Sequence, residues 1–231
     1  FLAGTMGYSV NAVNGYMLTG GHLNEDISSG GSFEGSIRFQ TTELLFHGIT
    51  QIADIQVGFE ICDNDYNRIY TGPLQVTTPL AASYDYANDG YRKAINSKAL
   101  QLTYDYTVEA FAEKEAYNSG GVRILSEAYM TNTDGNRTLM LEIQNDNDFS
   151  IHLTTNDIKV NDTLIYEDAW SYAAINPACK VIEDISLDDI LDEDEWTEYG
   201  IDEVETIGFT LKAVNEDGIV IAEPKEIVIG V

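Results

Sequence analysis

Basic side chains are scarce in this chain of 231 residues: 12 Lys and Arg stand against 39 Asp and Glu, a formal net charge of -27. Nucleic acid and anionic headgroups both need a basic surface to replace their counterions, so binding to DNA, RNA or a bilayer is not expected. The imbalance is uneven, with 6 basic and 14 acidic side chains in residues 1–120 and 6 and 25 in residues 121–231. It favours solubility and the attraction of cations or basic partners. No apolar run approaches the roughly 20 residues that span a bilayer, so no membrane insertion is expected. Histidine and cysteine are nearly missing. His22, His47 and His152 lack any His-x-His or His-Glu-x-x-His spacing, and Cys62 and Cys179 form no Cys-x-x-Cys pair, so a zinc site is not expected.

Motifs of catalysis are lacking too. There is no Gly-x-Ser-x-Gly elbow, Walker loop or Gly-x-Gly-x-x-Gly, and Gly30-Gly31-Ser32 reads as a hairpin loop. Paired carboxylates carry no weight for glycoside hydrolysis in so acidic a chain. The expectation is a protein that is not an enzyme. The start, Phe1-Leu2-Ala3-Gly4-Thr5-Met6, has neither an initiator Met nor the basic and apolar regions of a signal peptide, so the chain reads as a piece trimmed from something longer.

What is present is the same pattern twice, about 150 residues apart. Gly48-Ile49-Thr50-Gln51-Ile52-Ala53-Asp54-Ile55-Gln56-Val57-Gly58-Phe59 lies without a gap over Gly200-Ile201-Asp202-Glu203-Val204-Glu205-Thr206-Ile207-Gly208-Phe209-Thr210-Leu211. Val10 to Gly15 lies over Asp157 to Asp162, and Leu74 to Thr77 over Glu226 to Ile229. Two domains of about 100 residues fit the length. The matching positions are apolar residues and turns, so the repeat speaks of architecture. Neither cysteine recurs with it, which predicts two separate thiols, one interdomain bridge being the alternative.

Apolar residues recur with a period of two, the mark of half-buried strands. Ile55, Val57, Phe59 and Ile61 alternate with Gln56, Gly58 and Glu60, and Ile207, Phe209, Leu211 and Ala213 repeat the pattern. Further strands are expected at 122–129, 139–143, 151–154 and 219–222. Asn14-Gly15, Asp134-Gly135, Asn145 to Asp148 and Glu216-Asp217-Gly218 punctuate them as turns. Capped helical turns are expected at Thr41 to Phe46 and Ser186 to Leu191, each ahead of a shared Gly-Ile. The spacing predicts an all-β fold of β-sandwiches, each with one short helical turn.

The copies are unequal. Residues 122–156 supply about three strands before the Ile158-Lys159-Val160-Asn161 landmark, whereas the first copy has only a handful of residues before Val10. Such a sandwich would have an unpaired edge and an open core. Its missing strands would lie upstream, come from the Tyr84 to Tyr117 segment through the alternating run Leu102, Tyr104, Tyr106, Val108 and Ala110, or come from another molecule by strand exchange. The expected boundaries are a first domain at 1–83, a Tyr-rich connection at 84–118 and a second domain at 119–231.

In the second copy, Gly121-Val122-Arg123-Ile124, Leu139 to Asn147, Ile158-Lys159-Val160-Asn161 and Gly200 to Phe209 follow one another in order. This order resembles the tandem immunoglobulin-like modules of clostridial cell-surface proteins. The resemblance covers most of 119–231 and, more loosely, 7–80. Asp162 stands where that pattern has Gly, and an acidic insertion precedes Gly200. The resemblance implies two tandem immunoglobulin-like sandwiches at an extracellular bacterial surface, with lipid anchoring through an N-terminal Cys outside this chain. It supplies no catalytic residue.

Two ligand chemistries remain. Asp63-Asn64-Asp65-Tyr66-Asn67 offers oxygens at alternate positions for calcium, with Asp63, Asp65 and Asn67 as ligands. An EF-hand is excluded by Arg68 at the sharp-turn Gly position and Leu74 at the bidentate Glu position. Asn145 to Asp148 and Asp192 to Glu195 are other acidic candidates, against the alternative that Asn and Asp simply fill turns. For sugars, flat rings beside hydroxyl-binding groups are wanted, and Tyr84, Asp85, Tyr86, Asn88 and Asp89 combine them, as Trp170 and Tyr172 offer rings. The expected function is therefore a spacer, adhesion or protein-interaction module of the cell surface, and the alternative is a carbohydrate-binding module that exposes those rings.

Overall fold

The computed structural model describes residues 2–6, 11–21, 23–63, 65 and 67–231. Phe1, Val10, His22, Asn64 and Tyr66, named above, lie outside them. The fold is mostly strand with a few short helices, as the period-two pattern predicts. Contacts divide it into two compact units, Phe1–Ala94 and Ile95–Val231.

In the first unit, β1 (Leu2–Met6), β2 (Ala12–Val13), β3 (Tyr16–Met17) and β4 (Leu23–Ile27) precede the helical turn α1 (Thr41–Phe46), and β5 (Asp54–Cys62) and β6 (Arg68–Thr77) follow it. The strands form one antiparallel sheet: β1 and β2 both pair along one side of β5, β6 lies along its other side, β4 flanks β1 and β3 flanks β2. Asn14 and Gly15, at φ 51° and 80°, make the β2–β3 turn, the left-handed pair that a two-residue hairpin requires. A short helix, α2 (Gly90–Ile95), follows.

The second unit starts with α3 (Lys98–Tyr104) and continues through β7 (Tyr106–Ala112), β8 (Tyr117–Ser119), β9 (Val122–Asn132), β10 (Arg137–Asn145), β11 (Ile151–Val160), β12 (Thr163–Tyr166), β13 (Ser171–Ile175) and β14 (Lys180–Ser186). Two helical turns, α4 (Leu187–Ile190) and α5 (Glu193–Glu198), lead to β15 (Thr206–Asn215) and β16 (Val220–Gly230). One sheet runs β14-β10-β9-β7 with β8 also on β9, and the other β12-β11-β15-β16 with β13 also on β11. Leu139, Leu141 and Ile143 on the first and Ile151, Leu153, Phe209 and Leu211 on the second are fully buried. Each such side chain contributes about 2 kcal/mol. Two sheets that each bury one face fit a β-sandwich.

The duplication is visible in hydrogen-bond register. Ala12 and Val13 lie opposite Gln56 and Ile55, and their counterparts Lys159 and Val160 lie opposite Gly208 and Ile207. Val13 faces Tyr16 as Val160 faces Thr163. The Asn14 amide donates to Gln51 O and its Oδ1 accepts from Ala53 N and Asp54 N; the Asn161 amide likewise donates to Glu203 O and its Oδ1 accepts from Glu205 N and Thr206 N. Asp162 adopts φ 64° where its counterpart is Gly15, a conformation that Asp tolerates.

Three sequence expectations are corrected. The counterpart of α1 is α5 and not the turn at Ser186: Ile49 N donates to Leu44 O as Ile201 N donates to Trp196 O, with Gly48 and Gly200 both left-handed. Of these turns only α5 carries a capping box, between Asp192 and Glu195, while Gln40 and Ser186 make no side-chain cap. In the last strand Leu74 lies opposite Val57 and Ile227 opposite Phe209, so Leu74 matches Ile227, one residue from the ungapped alignment. Bulges in both strand pairs shift the register, and a one-residue slip exchanges the faces. Finally, the run Leu102 to Ala110 is not one strand. Leu102 and Tyr104 are helical in α3, Asp105 ends the helix at φ 61°, and β7 begins at Tyr106 and pairs with β9.

The first unit thus repeats only the second sheet of the second unit. Among the described residues no strand there corresponds to β9, β10 or β14. Leu74 and Val76 are 54% and 60% exposed, where Ile227 and Ile229 are 5% and 1% exposed.

Candidate functional site

Tyr84 to Asp89 folds as a turn that feeds α2. Asp85 Oδ1 accepts Ala87 N at 3.0 Å, Asn88 Oδ1 accepts Gly90 N at 2.8 Å, and the Asn88 amide donates to Asp85 O and to the Tyr84 hydroxyl. Asp89 pairs with Lys93 at 2.6 Å, and that hydrogen bond lowers its carboxyl pKa. The polar groups proposed for sugar hydroxyls are therefore engaged with their own chain. The Tyr84 and Tyr86 rings meet edge to face at 4.9 Å.

Sequence reasoning missed Asp54, which lies beneath Tyr86. Its carboxylate is 2% exposed and accepts the Tyr86 hydroxyl at 2.5 Å and the Gln75 amide at 3.3 Å, both on Oδ2. Burial, and then the hydrogen bond to Asp54, push the Tyr86 phenol up to about 12. Asp54 Oδ1 has no hydrogen-bond partner. No spacing signal ties residue 54 to residue 86. The only clue is that an acid occupies the place held by Thr206 in the other copy.

The other two rings belong to the second unit. Trp170 donates Nε1–H to Asp184 O at 3.1 Å and meets Tyr166 edge to face at 5.7 Å, so its polar end has a partner. Tyr172 is 69% exposed on the outer face of β13 and stacks on His152 of β11 at 5.4 Å with 17° between the planes. This pair is a flat, accessible aromatic surface. The neighbouring position Thr154, opposite Tyr172, offers a hydroxyl on the same face.

In the calcium candidate, Asp63 Oδ1 accepts Asp65 N and Asn67 N, each at 2.9 Å, and Oδ2 accepts the Asn67 amide at 2.8 Å. The Asn67 bonds lower the Asp63 pKa. The loop closes as an Asx turn that uses both oxygens. Asn145 is likewise committed, since its amide donates to Phe149, Ile175 and Asn176 carbonyls and its oxygen accepts from Asn147. Asp192 accepts Asp194 N and Glu195 N as a helix cap. Among the described residues no three His, Cys, Asp or Glu side chains gather in a metal-binding group. Cys62 is a half-buried free thiol and Cys179 is buried.

No helix among the described residues is long and apolar enough to cross a membrane. No protein-family model and no curated protein matches the chain.

Proposed function

We propose that the chain is a non-enzymatic part of an extracellular bacterial cell-surface protein, two immunoglobulin-like units in tandem that serve as a spacer, adhesion or protein-interaction module. The observation that carries this reading is that the residues repeated between the units do scaffold work: Asn14 and Asn161 hold a turn to the following strand, and Gly48 and Gly200 end a helical turn. The acids that crowd the sequence cap helices and close turns, as Asp63 and Asp192 do. The open face at Leu74 and Val76 favours the interaction role, since strand residues of a second copy would cover it by exchange. Sedimentation of the wild type against Leu74→Ser/Val76→Ser tests that form. A self-associating wild type and a monomeric variant support it, and a wild type that is monomeric at all concentrations contradicts it.

The second reading, a carbohydrate-binding module, is favoured by the exposed Tyr172 on His152. Binding of the chain to immobilised polysaccharides, mucin and matrix proteins separates the two. Saturable polysaccharide binding that is lost in Tyr172→Ala or in Tyr84→Ala/Tyr86→Ala supports the second reading; its absence leaves the module reading.

A further inference from the structure

In the second unit, the open side between the edge strands β7 and β16 holds a cleft that the module reading does not use. An inner pocket of about 60 Å³ is lined by Ala110, Ala112, Glu127 and Ile229 among others. An outer pocket of about 350 Å³ shares Ala110, Tyr129 and Val231 with it and adds Glu109, Arg137, Asp202, Glu203 and Val204. Register puts Glu127 on the core side of its sheet: it lies opposite Leu141 on β10 and Ala112 on β7, while its neighbour Ser126 pairs across the strand with Glu142 on the other face.

A carboxylate at a core position is costly unless it is paired. Glu127 is 4% exposed, and neither of its oxygens accepts a hydrogen bond. Lys114 Nζ stands 3.3 Å from Oε1, an ion-pair contact without hydrogen-bond geometry, and its side chain is 64% exposed. Lys114 is the one cation paired with Glu127 among the described residues. Burial raises the Glu127 pKa, and the close contact with Lys114 partly offsets this.

We propose that this cleft binds a primary alkyl ammonium, with its charge on Glu127 and its stem along Ala110, Ala112 and Ile229. A guanidinium fork needs both carboxylate oxygens, and Lys114 already stands at one. A quaternary ammonium needs a cage of several rings. A pocket of about 60 Å³ exceeds the ~15 Å³ that one water occupies by the same measure, and so admits an aminomethyl head. Arg137 also lines the mouth but is paired with Asp188 at 2.5 Å, so Glu109, Asp202 and Glu203 leave an acidic balance there that draws cations inward. A free amine and a lysine side chain of a basic peptide share this chemistry.

The test is calorimetric titration of the 231-residue chain at physiological salt with n-pentylamine, n-pentanol and Nα-acetyl-lysine methylamide. The expected result is one saturable site for pentylamine, with affinity reduced roughly tenfold or more for pentanol and in Glu127→Gln. Glu216→Gln, on a distant turn, leaves it unchanged. Ala112→Leu fills the pocket with the carboxylate kept, and loses binding even if Glu127→Gln fails to fold. Equal binding of the lysine derivative supports a peptide source, and binding of pentylamine alone a free amine. The proposal is overturned if pentylamine does not bind, if pentanol binds as well, or if a folded Glu127→Gln or Ala112→Leu binds like the wild type.

Discussion

The Tyr86 hydroxyl donates to Asp54 Oδ2 at 2.5 Å and, with Gln75, gives this buried carboxylate its side-chain hydrogen bonds. The contact anchors the Tyr84–Asp89 turn onto the start of β5. Removing one partner of a buried charged group leaves the other desolvated. Tyr86→Phe is therefore expected to lower the unfolding free energy by about 2 kcal/mol, and Asp54→Asn in the same background to recover part of it. Urea denaturation measures both. A loss under ~0.5 kcal/mol would assign the contact no structural weight.

Glu183 sets a pH dependence for the second unit. Burial, against a hydrogen bond from Ser171, pushes its carboxyl up to about 7 from an ordinary 4.5. Between these values the folded chain holds a proton that the unfolded chain has released, so stability falls as pH rises from about 4.5 to about 7. Above both values the cost is constant. Glu183→Gln should remove about 3 kcal/mol of this pH dependence, read as melting temperature against pH. A wild type and variant with parallel profiles would show that Glu183 titrates normally.

Calcium at about 1 mM is expected to leave the melting temperature unchanged, because the oxygens of Asp63, Asn145 and Asp192 already accept from their own turns. A cation that binds only the folded state would raise it. A rise that disappears in Asp63→Ala would restore the calcium reading of that loop.

Strands and turns were legible in the sequence because a half-buried sheet demands alternation and a tight hairpin demands left-handed residues, as at Asn14-Gly15. The constant spacing around Gly48 and Gly200 was legible because a gapless helix-to-strand unit tolerates no insertion there. Leu102 and Tyr104 misled, since Tyr suits strands and the 84% exposure of Leu102 on α3 has no sequence signature. Leu74 misled because a bulge changes which face a residue occupies without changing the composition. The candidate ligand groups were visible as residue types, but not their partners: nothing in Tyr84 to Asp89 shows that its turn consumes them. Glu127 was hidden for the same reason as Leu74, since the register shift at Glu142 and Ile143 breaks the alternation that would have marked it as facing the core.

The most direct test of a duplicated scaffold is urea unfolding of Asn14→Ala and Asn161→Ala, followed by amide hydrogen exchange to assign losses to each unit. Each substitution deletes hydrogen bonds to two backbone N–H groups and one carbonyl, and places Ala at a left-handed position. Each is expected to cost about 3 kcal/mol, with protection lost at Ala53 and Asp54 in the first variant and at Glu205 and Thr206 in the second. A loss in only one unit, or under ~1 kcal/mol in both, would contradict the claim that one hydrogen-bonded device has been used twice.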